Sequence, residues 1–195
     1  MTFALLLAAP AQAAPKLAYF AGGCFWCTEA DFEKIDGVGD VISGFMGGEK
    51  VNPSYQDVAY GRTQHREVVQ VPYDDEKVAY QQLLSAFWRM HDPTDGAGSF
   101  VDRGRHYGSA VYVTNDAEKR LVEGAIKALN ASGKFDRPIA TDVQPAGAFY
   151  PAEAYHQDYY KKAGYKYTYY RFRSGRDAFI AKFWAGDDKL YQTNN

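Results

Sequence analysis

The sequence predicts an α+β fold, a two-layer sandwich of helices against a mixed or antiparallel sheet with a ferredoxin-like core, closed by a long C-terminal coil. Three observations predict it. The 195 residues, 46% of them hydrophobic, suit one compact domain with a sizeable core. Short apolar runs alternate as strands do and take turns with segments whose apolar residues recur at helical spacing. The elements run β, α, β, β, α, β, α, β, an order that favours two layers over a doubly wound parallel sheet.

Residues 16–21 form a short apolar strand, followed by Gly22-Gly23 and a helix over 24–35 in which Phe25, Phe32 and Ile35 are apolar against polar Glu29, Asp31, Glu33 and Lys34. Gly37 and Gly39 close that helix, and a strand follows at 40–45. A glycine-rich polar stretch to Ser54 leads to a short helix ending at Ala59. Residues 67–72 alternate as a strand, and 75–91 carry Val78, Leu83, Leu84, Phe87 and Trp88 at helical spacing. A polar loop spans 92–105 and a strand 107–114. The next helix is capped by Asn115 or Asp116 and ends at Gly133. The last strand, 139–143, enters a tail rich in tyrosine, whose rings pack while their hydroxyls stay wet. Neither internal repeat nor linker interrupts the chain, so residues 15–195 read as one domain.

The 22 basic and 24 acidic residues are interspersed, leaving no basic stripe to track phosphates and no acidic tail. Nucleic acid is therefore not an expected partner, and a monomer is expected. Residues 1–14 are apolar and end in a small-x-small pattern suited to cleavage after Ala13, although the usual basic flank is missing. They read as a signal segment, which places the mature protein in the periplasm or outside the cell; without that signal it would stay cytoplasmic. The run is too short to span a bilayer, and no later segment is long and apolar enough, so no membrane association is expected.

The sharpest feature is Gly22-Gly23-Cys24-Phe25-Trp26-Cys27-Thr28-Glu29, which follows a strand, opens a helix and holds the only two cysteines. A sulfur at a helix N-terminus meets free N–H groups and the positive end of the dipole, which favour thiolate over thiol. That makes Cys24 the expected nucleophile, with Cys27 one turn further and able to reach it. A structural disulfide across so short a loop would add little stability. Zinc would need further ligands, but His65, His91, His106 and His156 are scattered singly, so no metal is expected. A general CxxC thiol-disulfide exchanger remains open at this point.

Gly-Cys-Phe-Trp from Gly23 resembles the A-type methionine sulfoxide reductases, and the likeness extends over residues 16–160. Its pieces are Ser43-Gly44-Phe45-Met46-Gly47-Gly48, Asn52-Pro53-Ser54-Tyr55, His65-Arg66-Glu67, Phe87-Trp88, His91-Asp92-Pro93-Thr94, Asp102-Arg103-Gly104, Tyr107-Gly108-Ser109-Ala110 and His156-Gln157-Asp158-Tyr159-Tyr160. The resemblance implies reduction of the S epimer of methionine sulfoxide, free or in proteins, without metal or organic cofactor. It implies that Cys24 attacks the sulfoxide sulfur and that Glu67 supplies the proton the departing oxygen needs. Tyr55 and Tyr107 match hydroxyls that bind that oxygen, Phe25 and Trp26 match the walls around the methyl group, and Asp102 matches the residue holding the substrate backbone. Taken alone, Glu67 is an ordinary strand-start carboxylate, Trp26 a core residue and Asp102 a turn former.

Oxygen transfer would leave Cys24 as a sulfenic acid, which condenses with a thiol before it is reduced. Many family members use cysteines near the C-terminus for this, and this sequence has none there. Cys27 is then the internal resolving residue, its disulfide opened by a thioredoxin-like donor, with direct attack by an external thiol the competing route. The sequence departs from the family pattern at His106 and Gly108, which flank Tyr107 in place of glutamine and arginine. It departs again at Phe45 and Met46, which replace a tyrosine and a threonine or serine. A disulfide-stapled module that binds methionine without turnover is the reading from another class.

Overall fold

The computed structural model describes residues 14–186. The expected signal segment, apart from Ala14, lies outside them. Strand β1, Lys16–Ala21, alternates so that Ala18 and Phe20 enter the main core while Tyr19 and Ala21 face the other side of the sheet. Helix α1, Phe25–Phe32, follows, then β2, Ile42–Met46, the short helix α2, Tyr55–Ala59, and β3, Arg66–Tyr73. Ser54 caps α2 in a reciprocal box with Asp57. Helix α3 is Tyr80–Phe87, and the loop after it contains a small ribbon of β4, Gly98–Ser99, and β5, Asp102–Arg103. A single 3₁₀ turn at Arg105–Tyr107 precedes β6, Ala110–Val113. Helix α4, Asp116–Ala131, starts where Asn115 Oδ1 accepts the N–H groups of Ala117 and Glu118, at 3.0 and 2.9 Å. Strand β7, Asp142–Pro145, follows it.

The sheet order is β7-β6-β1-β3-β2, with one further strand, β8, Tyr150–Pro151, on the far edge. The inner four strands, β6-β1-β3-β2, are antiparallel to one another, which with α1 and α3 as connections is the ferredoxin-like core expected. Only β6 and β7 pair in parallel, so the sheet is mixed. The helices cover one face, and Phe20 lies between Phe32 and Phe87 at ring separations of 4.8 and 5.0 Å. Each such ring contributes roughly 1.5–3 kcal/mol by leaving water.

Two expectations need correction. Helix α3 is shorter than the periodicity predicts because the Asp74 carbonyl holds a separate turn with the N–H groups of Lys77 and Val78. Beyond Phe87 the bonds tighten to three-residue spacing, Arg89 to Ala86 and Met90 to Phe87. The C-terminal coil is also largely helical: after β8 come α5, Tyr159–Lys162, α6, Gly164–Ser174, and α7, Arg176–Trp184. The inward face of α6 is made of Tyr167, Tyr170 and Ser174, polar-tipped residues that leave no apolar stripe to read in the sequence. Arg176, fully buried, anchors α7 by donating to the carbonyls of Gly22, at 3.3 Å, and Met90. No described helix is long and apolar enough to cross a membrane.

Candidate active site

Alternation in β3 puts Glu67 on the same face as Val69 and Val71, toward the helix layer, while Val68 points the other way. The neighbouring strand β2 places Phe45 opposite Glu67. That face meets the start of α1, whose N-cap is Cys24. The result is a small concave pocket of about 100 Å³ lined by Cys24, Phe25, Trp26, Tyr55, Glu67, Asp102, Tyr107 and Tyr170. The fold thus gathers residues from α1, α2, β3, β5, the 3₁₀ turn and α6 around one sulfur.

Seven of the eight residues singled out in the sequence line this pocket; Cys27 sits behind it, fully buried within α1. Both cysteines are free thiols. The cysteine chemistry differs from the expectation in one respect. The first free N–H of α1, that of Phe25, is donated to Glu67 Oε2 at 3.0 Å, and the Cys24 sulfur makes no capping bond. Burial, hydrogen bonding to Cys27 and the facing carboxylates of Glu67 and Asp102 then push the Cys24 thiol up rather than down. Cys27 moves the other way, to about 7, through its hydrogen bond with Cys24 and the nearby guanidinium groups of Arg176 and Arg171, which together outweigh its own burial.

Burial raises the Glu67 carboxyl to about 8, against the opposing pull of the Phe25 N–H. It is therefore an acid that still carries its proton at neutral pH. The hydroxyls of Tyr107 and Tyr55 face it, and burial raises both phenols, Tyr55 to about 12, so each remains a donor. Burial also raises the Asp102 carboxyl, and its Oδ2 accepts the Tyr170 hydroxyl.

The aromatic wall is held from the C-terminal side. Trp26 Nε1 donates to His156 Nδ1 at 3.0 Å, and Tyr159 stacks on the indole at 3.9 Å. Burial lowers His156 to about 4, so its ring is neutral and can accept. The Gln157 amide clamps both backbone groups of Ser43, at 2.9 and 2.8 Å, and Glu29 accepts the Ser43 hydroxyl and the Asp158 N–H, each at 2.7 Å. Those bonds explain why the serine-glycine and histidine-glutamine segments, far apart in sequence, belong to one site. Among the described residues, Glu29, Glu33 and Asp158 form the one acidic group tight enough to share an ion. Its oxygens already take Ser43, Tyr160 and Lys161. A larger groove of about 360 Å³ between α3 and α4 is lined by Leu84, Trp88, Leu121 and Leu129 and holds no titratable group.

Tyr170 and Arg176 are the site residues that sequence reasoning missed. Tyr167, Tyr170 and Ser174 recur at helical spacing, but as polar-tipped residues they carry no hydrophobic signal that marks the inward face of α6.

A buried thiol pair at a helix start, beside a carboxylic acid that is protonated at neutral pH, defines a thiol-dependent oxidoreductase. The chain belongs to the peptide methionine sulfoxide reductase family, whose model matches residues 16–188. It is 47% identical to the peptide methionine sulfoxide reductase MsrA of Bacillus licheniformis, over 87% of this chain and 93% of that protein. The Listeria monocytogenes MsrA is 46% identical over 87% of this chain and 96% of that one. Among solved structures, reduced Mxr1 from Saccharomyces cerevisiae is similar with a TM-score of 0.72 at 33% identity, covering 77% of this chain and 87% of that one. Methionine sulfoxide reductase A of Corynebacterium diphtheriae gives 0.69 at 33% identity, covering 78% and 77%. Mxr1 has also been solved in complex with Trx2, and that chain matches with a TM-score of 0.53 at 27% identity, covering 75% of this chain and 85% of that one.

Proposed function

We propose that this protein is a peptide-methionine (S)-S-oxide reductase in which Cys24 takes the oxygen of methionine sulfoxide and Glu67 handles the proton. The observation that carries the assignment of roles is the meeting of a free thiol with a carboxyl raised to about 8 in one small pocket. The pocket admits a functional group rather than a whole residue, which suits a methyl sulfoxide between Phe25 and Trp26. Tyr55 and Tyr107 donate to the sulfoxide oxygen, and Glu67 protonates it as the Cys24 sulfur attacks the substrate sulfur. The Cys24 proton restores the acid. In balance, a thiol and a sulfoxide give a sulfenic acid and a thioether.

Cys27 then attacks the Cys24 sulfenic acid, forming the disulfide and releasing water. Arg176 and Arg171 lie close enough to Cys27 to favour its thiolate, the form that attacks a sulfenic sulfur. A thioredoxin-like dithiol exchanges with the disulfide and becomes oxidised in turn. The Mxr1 complex with Trx2 supports a protein donor of this kind. Electrons travel entirely through sulfur, so the cycle calls for no prosthetic group. The clients are oxidised proteins and free methionine sulfoxide.

The test is reduction of resolved S and R methionine sulfoxide with dithiothreitol by wild type and Cys24→Ser. Turnover of the S epimer alone, abolished in the variant, is the expected result. Failure with both epimers, with the thiols shown to be reduced, would leave a methionine-binding module on a reductase scaffold.

A further inference from the structure

The C-terminal helices contribute a side chain to the pocket as well as a cover. Tyr170 lies on the inward stripe of α6 with Tyr167 and Ser174, while Tyr165, Tyr169 and Phe172 face solvent. Its ring meets Trp26 edge-on, with centroids 6.0 Å apart and planes at 85°. Its hydroxyl donates to Asp102 Oδ2, across 68 residues of sequence. The helix that carries it is pinned beside the cysteines. Arg171 Nη1 donates to Asp31 Oδ1 at 2.9 Å and to the Tyr167 hydroxyl at 3.1 Å, and its Nε donates to Asp177 at 2.9 Å.

We propose that Tyr170 is a positioning residue for substrate recognition: its phenol fixes the Asp102 carboxylate through Oδ2 and so presents Oδ1 to the backbone N–H of the methionine sulfoxide residue. The proposal rests on the reading of Asp102 as the backbone acceptor. A carboxylate lining a pocket can settle in more than one rotamer, and one fixed oxygen removes that choice before the ligand arrives. The edge-on contact with Trp26 couples this orientation to the wall that receives the methyl group. One phenol thereby sets the spacing between the two ends of the substrate, its amide and its sulfur.

The test compares N-acetyl-methionine sulfoxide amide with methyl propyl sulfoxide, which keeps the methyl and the S=O group but has no amide. The readout is the ratio of KM for the amide to KM for the simple sulfoxide. Tyr170→Phe is expected to raise this ratio about tenfold, the loss expected for a hydrogen bond to a charged group. In an Asp102→Asn background the same change is expected to have no further effect. An unchanged ratio, or an equal change in KM for both sulfoxides, overturns the proposal and leaves Tyr170 as packing. Should the phenylalanine variant fail to fold, Asp102→Asn tests the acceptor. An unchanged ratio there removes the backbone acceptor and the proposal with it; a raised ratio supports the acceptor. Tyr170→His, which keeps a ring and a donor, then supports the positioning role if it holds the ratio near wild type, and a well-folded Tyr170→Leu that does so too overturns it. A wild type that reduces neither sulfoxide would instead overturn the assigned reaction.

Discussion

The backbone N–H of Phe25 and the carboxylate of Glu67 meet at 3.0 Å, joining the first turn of a helix to a central strand 42 residues away. The bond fixes the acid beside the nucleophile and moderates its proton affinity. Burial alone would drive the carboxyl higher; the donated N–H stabilises the ionised form and pulls it back. The Cys24 thiol, which makes no capping bond, is instead pushed up by burial, by its hydrogen bond with Cys27 and by the carboxylates facing it.

Glu67→Gln is expected to slow sulfoxide reduction by about a hundredfold or more, the usual contribution of a general acid. Because the acid works in its protonated form and titrates near 8, the wild-type rate is expected to fall as pH rises through that value. A pH profile of kcat/KM for both proteins checks this, and a near-normal rate for the variant at neutral pH would move the acid elsewhere.

The same substitution is expected to act oppositely on stability. The folded chain holds the Glu67 proton up to about 8, whereas the unfolded chain releases it near the usual carboxyl value of 4.5. This stabilisation is complete below the lower value and is lost as pH rises toward the higher one. The melting temperature of Glu67→Gln relative to wild type should therefore increase between about pH 5 and about pH 9. A constant difference would show that the acid titrates alike in both states.

Cys27→Ser is expected to yield one methionine per enzyme and then stall when a thioredoxin-type donor is the only reductant. Rapid-quench counting of methionine against enzyme measures the burst. Steady turnover at the wild-type rate would show that an external thiol attacks the Cys24 sulfenic acid directly.

Gly23→Ala should destabilise the fold by about 1–3 kcal/mol, from both backbone strain and crowding. Gly23 has φ of +90°, and a Cβ there would lie 2.3 Å from the Ser99 Cβ. Urea unfolding measures the loss. Ser99→Gly on the same chain should recover only the crowding part, and full recovery would remove the strain argument.

Much of this was legible from the sequence because the informative residues act locally or periodically. Ala18 and Phe20 alternate with Tyr19 and Ala21, and the order of elements already implied the ferredoxin-like core. Cys24 and Glu67 stood out through the pieces around them. The hidden parts depend on distant partners. The carboxyls that face Cys24 come from two other strands, and the tail forms helices whose buried face is tyrosine, serine and a guanidinium. Hydrophobic periodicity does not register such a face, since Tyr167, Tyr170 and Arg176 bury their apolar bodies while their polar tips find partners on other elements.

The guanidinium of Arg176, bonded to the Gly22 carbonyl across 154 residues, also sets an order in time. A chain that emerges amino-terminus first has its sheet strands and both thiols in place well before α6 and α7 follow. Until those helices arrive, the cysteine pair lacks its cover and stands open to whatever oxidants the compartment contains. Before its last helices dock, the newly made protein thus exposes its own thiols to oxidation, a lesion distinct from the methionine sulfoxide it reduces.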